Sequence, residues 1–164
     1  VNTVCSRQQE NGSWVYGLLP IQTWVDSFHT GYNLTALEKY KELCKDESFN
    51  NSIEKGFDFY TKHFFLNDGT PRYFHNKTWP IDIHCPGQLW VTVSSLGRWK
   101  DNAQICDQVA QWAITNMQAP EGYFYYQMKP LVSSKISYMR WSNAFMFNAL
   151  SYYLLETTKT KSEH

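Results

Sequence analysis

Apolar residues recur along this chain at helical spacing, in two kinds of stripe. After Asp101, a residue type suited to an N-cap, Ala103, Cys106, Val109, Ala110, Ala113, Ile114 and Met117 fall at i, i+3, i+4 and i+7 intervals. That spacing turns one helix face to a core and the other to water, as expected of an outer helix. Ile53, Phe57, Tyr60 and Phe64 repeat the stripe after Asn50 and predict an equivalent outer helix over 50–65. The run from Tyr138 to Leu155 is apolar nearly all round, the pattern of an inner helix enclosed by others. Matching inner helices are expected at about 28–44 and 86–97. Pro86 lies in the first turn of the second, where a missing N–H costs nothing. Gly12, Gly69, Gly97 and Gly122 separate the elements, because glycine accepts the positive φ found after helix ends.

Three of those glycines share a local plan of a polar residue, Gly, then aromatics. Gln8 to Tyr16, Asn67 to Tyr73 and Gln118 to Tyr126 follow it, with glycines 57 and 53 residues apart. A second echo runs in step: Trp24 and His29 reappear as Trp79 and His84, each displaced by 55. Tyr138 to Trp141 forms a third copy, with Arg140 near the place of the histidine. One repeat is an outer helix, an aromatic turn or short hairpin, a loop carrying Trp and a polar group, and an inner helix. The predicted class is all-α: an (α/α) helical-hairpin toroid, partial, holding about three repeats of about 55 residues. A closed ring of six would need roughly 330 residues. Residues 1–164 therefore read as a single toroid segment, expected to be the C-terminal part of a larger chain. The remainder of the ring or a second copy would cover its open face.

Charge narrows the partners. Fifteen basic residues balance fifteen acidic ones, so no field recruits nucleic acid or an anionic membrane surface. No apolar stretch reaches the ~18 residues of a membrane span. The four cysteines, 5, 44, 85 and 106, form no CxxC pair and read as mostly buried thiols. The chain opens at Val1 with neither a basic n-region nor an apolar h-region; its true start is expected upstream, so export is not decided and the location stays open, with the cytoplasm slightly favoured. Sequons at Asn11, Asn33, Asn50 and Asn76 carry no meaning there. No phosphate loop, dinucleotide fingerprint, HExxH or GxSxG occurs, and no cofactor is expected. His84 and Cys85 offer two zinc ligands without a third, so no metal is expected either.

The densest constellation runs from Trp79 through Asp82, His84, Pro86 and Gln88 to Trp90. It leads into an inner helix, which places Asp82 and His84 on the rim of a central cavity. The positive helix end favours a neutral imidazole, suited to act as a base. Asp82 either orients it or acts on its own; in the competing reading Asp82 only caps the helix and His84 fills a polar niche. Asp26 and His29 are the earlier copy. Two histidines facing each other across a cavity suit proton abstraction and return on opposite faces of a sugar carbon. Arg140, beside Trp141 on an apolar helix, either binds a carboxylate or hydroxyl cluster or forms a buried ion pair. The turn aromatics Trp14, Tyr16, Tyr73, Phe74, Phe124, Tyr125 and Tyr126 divide between stacking on pyranose faces and plugging the barrel end. Arg72 lies among them, placed for an acidic sugar, and Trp79 and Gln88 complete the expected binding set.

Gln8-x-x-x-Gly12-x-Trp14, Gln118-x-x-x-Gly122-x-Phe124, Trp79-x-x-Asp82-x-His84 and Arg140 to Leu150 together resemble the six-hairpin glycosidase-like superfamily. That group includes unsaturated glucuronyl hydrolases, N-acylglucosamine 2-epimerases and several polysaccharide lyases. The likeness covers nearly the whole chain, as a C-terminal half. It extends to bacterial proteins from surface-polysaccharide gene clusters, some of which carry the name delta-aminolevulinic acid dehydratase. Neither the βα alternation of a dehydratase barrel nor a paired-lysine Schiff-base site is present, so that chemistry is not expected. Terpenoid cyclases share the Gln-x-x-x-Gly-x-Trp turn, but their acidic DxDD signature is missing.

The resemblance implies Asp82, His84, Asp26 and His29 as the catalytic rim. A hydrolase would need carboxylates, an epimerase two histidines, and a lyase a Tyr or His base with a neutralising Arg. It implies a carbohydrate-active protein working on a sugar or uronic-acid-containing saccharide. The alternative is a non-catalytic saccharide-binding or scaffold module, with a terpenoid-cyclase-like activity further behind.

Overall fold

The computed structural model describes residues 1–162. Among them six α-helices follow one another: α1 (Asn2–Ser6), α2 (Ser27–Cys44), α3 (Asn50–Phe64), α4 (His84–Ser95), α5 (Trp99–Met117) and α6 (Phe145–Ser162). A 3₁₀ turn covers Pro20–Gln22 and a π-helical turn, Met139–Ala144, leads into α6. Two-residue strands β1 (Ile81–Asp82) and β2 (Gln127–Met128) pair antiparallel. Helices α2, α4 and α6 pack side by side as the inner row, with α3 against α2 and α5 against α4 behind them.

The outer stripes largely land where the apolar spacing puts them: Ile53, Phe57, Tyr60 and Phe64 are buried on α3, and Cys106, Val109, Ala110, Ala113 and Met117 on α5, whereas Ala103 is half-buried and Ile114, at the edge of the stripe, is exposed. Helix α5 starts ahead of the expected cap. Asp101 sits inside its first turn and no side chain caps it, because Trp99 is buried and draws the preceding residues into the helix.

The repeat is reproduced bond for bond. In each turn the glycine N–H donates to the residue three before it, from Gly12 to Gln9, Gly69 to Leu66 and Gly122 to Ala119, at 2.9, 2.9 and 2.8 Å. The same three residues donate back across the turn to Ser13, Thr70 and Tyr123 at 2.9, 3.0 and 2.8 Å. The glycines hold φ of +91°, +84° and +95°, a region costly for any residue with a Cβ. Gln8 and Gln118 clamp their own turns, donating from Nε2 to the carbonyls of Gly12 and Gly122 at 2.9 and 3.1 Å. Gln8 also donates to Ser52 O at 2.9 Å, tying the first turn to the next outer helix.

Close approach explains the glycines. A Cβ on Gly12 would strike the carbonyl of Lys55 on α3, and one on Gly69 the carbonyl of Gln108 on α5. At Gly122 nothing lies within 4 Å. Inner helices approach through glycine as well: Gly31 meets Gln88 and Thr92, and Gly87 meets Phe145, Met146 and Ala149.

Helix α6 departs from expectation. It begins at Phe145 rather than Tyr138, and only one side is covered. Leu34 on α2 and Trp90 on α4 are fully buried, whereas Phe147 on α6 is 77% exposed, and Leu154 and Leu155 are exposed as well. Its all-round apolar pattern therefore leaves one face without a neighbour among the described residues. The cysteines also divide: Cys85 and Cys106 are buried, Cys5 half-buried and Cys44 exposed. Burial pushes the Cys85 and Cys106 thiols well above the ordinary range, so neither is a nucleophile at neutral pH.

Candidate functional site

The two acids are fixed before the inner helices begin. Asp26, extended at φ −120°, bridges to Phe74, and Ser27 N donates to Tyr73 O at 2.9 Å. Asp82 lies in β1 opposite Gln127 of the following turn. Asp26 caps α2, its Oδ1 accepting from His29 N at 2.9 Å, and Asp82, one residue ahead of the N-cap Ile83, accepts at Oδ1 from the first N–H of α4, His84 N, at 3.0 Å. The same carboxylates hold the imidazoles. His29 Nδ1 stands 2.9 and 3.0 Å from the two oxygens of Asp26, and His84 Nδ1 2.8 Å from Asp82 Oδ1. An ionised carboxylate only accepts, so each Nδ1 carries a hydrogen and each neutral ring keeps Nε2 as its acceptor. In each pair one carboxylate oxygen thus meets both the backbone N–H at the helix start and the imidazole.

The dyads differ in access. The side chain of His29 is 42% exposed and that of His84 only 6%. His84 is wedged between Phe28, Trp141 and Phe145, at ring-centroid distances of 5.8, 5.1 and 4.5 Å. His29 meets Tyr16 edge-on at 4.8 Å and Tyr32 at 5.9 Å. Phe28 also touches His29, at 4.5 Å, so one ring contacts both histidines. Beside His84 opens a cleft of about 630 Å³ bounded by Tyr32, Tyr138, Met139, Arg140, Trp141 and Phe145.

Arg140 sits on the π-helical turn ahead of α6, exposed to the cleft and in no ion pair among the described residues. The buried ion pair considered for it does not form. Trp141 shares the turn and reaches His84, as expected of a wall. Tyr16 stacks on Trp24 at 4.6 Å, and Tyr73 meets Phe28 edge-on at 5.2 Å, so both belong to the site.

Five expected binding residues lie elsewhere. Trp14 is 5% exposed, its indole donating to Val4 O at 2.9 Å and its ring packed on Gly56, so it is a core plug. Gln88 is 1% exposed, its amide donating to Thr92 Oγ1 at 3.0 Å between α2 and α4. Alternation along extended backbone separates neighbours: Tyr73 faces the site, while the Arg72 guanidinium reaches toward His63 O at the end of α3. Tyr125 likewise turns out to Tyr123 and Lys135, and Tyr126 turns in to Tyr138. Trp79 is surface-exposed and makes none of the ring contacts that join the site. Phe28, Tyr32, Tyr138 and Phe145 were missed. The signal for the first two was their place one and three residues from His29 on one helix turn.

Burial, followed by the negative charges of Asp26 and Asp82, raises the phenols of Tyr32 and Tyr73 above the ordinary range; burial and Asp82 do the same for Tyr126. The fold holds these protons more tightly than the unfolded chain does. Stability from this source is therefore complete below pH ~10 and lost as pH rises through the raised values. In a spectrophotometric titration Tyr32→Phe is expected to remove absorbance from the high-pH phase and none from the ordinary phase near pH ~10. Loss from the ordinary phase contradicts this electrostatic picture.

The architecture is that of a partial (α/α) toroid, with two acid–imidazole dyads at one end of successive inner helices. The fold is similar to that of a solved cellobiose 2-epimerase from Bacillus thermoamylovorans, at a TM-score of 0.62 and 12% identity, covering 79% of this chain and 37% of the epimerase. The chain thus spans little more than a third of that protein's length. No protein-family model and no curated protein matches the sequence.

Proposed function

We propose that the cleft binds a saccharide and that His84 and His29, each held by its aspartate, are the acid/base groups acting on it. The observation that carries this reading is the pair of imidazoles, each with Nδ1 committed to a carboxylate and Nε2 without a hydrogen bond among the described residues, both in contact with the Phe28 ring. One neutral imidazole takes a proton from an activated sugar carbon while the other, protonated, returns one. Arg140 anchors a carboxylate or a group of hydroxyls, which favours a uronic-acid-containing ligand. Trp141 and Tyr16 offer faces for a pyranose ring. A fold shared with a sugar epimerase supports a carbohydrate theme, and the low identity leaves substrate and reaction to experiment. In this reading residues 1–164 are the C-terminal segment of a larger ring, and further hairpins or a second copy cover α6.

Incubating the protein in D₂O with neutral sugars, uronic acids and their oligosaccharides tests this by NMR. Saturable binding with deuterium entering a carbon-bound position of the sugar is expected. Binding without exchange converts the site into a non-catalytic binding module. No binding to any saccharide sinks the proposal.

A further inference from the structure

Each dyad has one more polar contact than capping requires, and the donor differs between repeats. Asp26 uses Oδ1 and Oδ2 on His29, and its Oδ2 also accepts from the indole Nε1 of Trp24 at 3.2 Å. Asp82 gives Oδ1 to His84 and has Oδ2 left over. That oxygen accepts from Gln127 Nε2 at 3.3 Å. Among the described residues Asp82 Oδ2 has no other donor; Trp79, the repeat counterpart of Trp24, makes no bond to it. Opposite Asp26 stands Phe74, which has nothing to donate. Opposite Asp82, in the same cross-strand place, stands Gln127. The donor has moved from the residue preceding the acid to the strand facing it.

We infer that Gln127 is the positioning residue of the His84 dyad, doing for Asp82 what Trp24 does for Asp26. Asp82 is 3% exposed, and a buried carboxylate needs its acceptor sites filled. Gln127 is itself fixed by a backbone pairing with Ser134, donating at 3.3 Å and accepting at 2.8 Å. With Oδ2 held, the carboxylate is kept from turning and Oδ1 stays on the imidazole, so His84 keeps the Nδ1–H tautomer. Without the amide the carboxylate is free to turn, and the tautomer and ring angle are no longer specified.

Ring-nitrogen NMR of the intact chain at neutral pH tests this without any ligand. Gln127→Leu is expected to move the His84 nitrogen signals toward the average of the two tautomers and to leave those of His29 in place. Gln127→Lys keeps a donor and is expected to restore them. Trp24→Phe is expected to do the reverse of Gln127→Leu, moving His29 and sparing His84. The inference is overturned if Gln127→Leu leaves His84 unchanged, if both histidines move together as in general loosening, or if Trp24→Phe moves His84 instead. The kinetic consequence rests on the acid/base reading: with a saccharide that the unaltered protein converts, Gln127→Leu lowers kcat about tenfold and leaves KM within about twofold. Absence of any conversion defeats the acid/base reading while the ring-nitrogen result stands or falls separately.

Discussion

Asp82→Asn is expected to cut turnover of the cleft's saccharide by roughly 10³ to 10⁴, while binding weakens by no more than about fivefold. The substitution preserves volume. It takes the negative charge from the oxygen that accepts from both His84 N and Nδ1, and an amide turned with its NH2 toward the ring holds the other tautomer, in which His84 presents N–H instead of a lone pair to the sugar. Arg140 and Trp141 are untouched, and for that reason the ligand still binds. His84→Ala should match it in kcat, with an added stability loss because the ring fills a space between Phe28, Trp141 and Phe145. The two losses should not add, since both variants disable one unit. Steady-state kinetics on the single and double variants settles the matter. If Asp82→Asn and His84→Ala both keep full turnover, the acid/base assignment is wrong.

The fold was legible wherever burial has a period. Helices α3 and α5 each touch the core along one face, and their apolar spacing is the direct imprint of that geometry. Glycine turns were legible for a second reason: each needs positive φ, and two also need a Cβ-free approach to a neighbouring backbone. The start of α6 was not legible. Met139 to Ala144 mixes apolar and polar residues as a part-buried helical turn does, and nothing in that mixture distinguishes a π-helical turn carrying Arg140 into a cleft from one more turn of α-helix. Nor does an apolar residue reveal whether its neighbour is present, so Phe147 reads like Leu34 and Trp90 although it is exposed.

The two acid–imidazole pairs were more legible than the walls of the cleft. Asp and His beside a helix start form a local pattern, since cap and imidazole are within three residues of one another. Which aromatic faces the cleft depends on strand alternation and on contacts far apart in sequence. Tyr125 and Tyr126 are adjacent and chemically alike, and only the pairing of β1 with β2 decides that the second turns inward. Trp14 and Tyr16 share a turn in the same way, yet one seals the core against Gly56 and the other meets His29.

Gly69→Ala is expected to destabilise the protein by about 3 kcal/mol or more, and Gly122→Ala by only about 1–2 kcal/mol. Both positions have positive φ, +84° and +95°, and both lose the freedom of glycine in the same hydrogen-bonded turn. The difference lies in what a methyl group meets. At Gly69 it meets the backbone carbonyl of Gln108, which cannot move without shifting α5, whereas at Gly122 it meets open space. Strain from conformation is common to the two; overpacking belongs to the first alone. Urea unfolding of both variants measures this directly, with the unfolding slope as a check that the denatured state is unchanged. Two small, equal losses would mean that the turns do not bear on the helices behind them. Two large, equal losses would mean that in solution a further outer helix already rests on Gly122, and that the exposed face of α6 is covered with it.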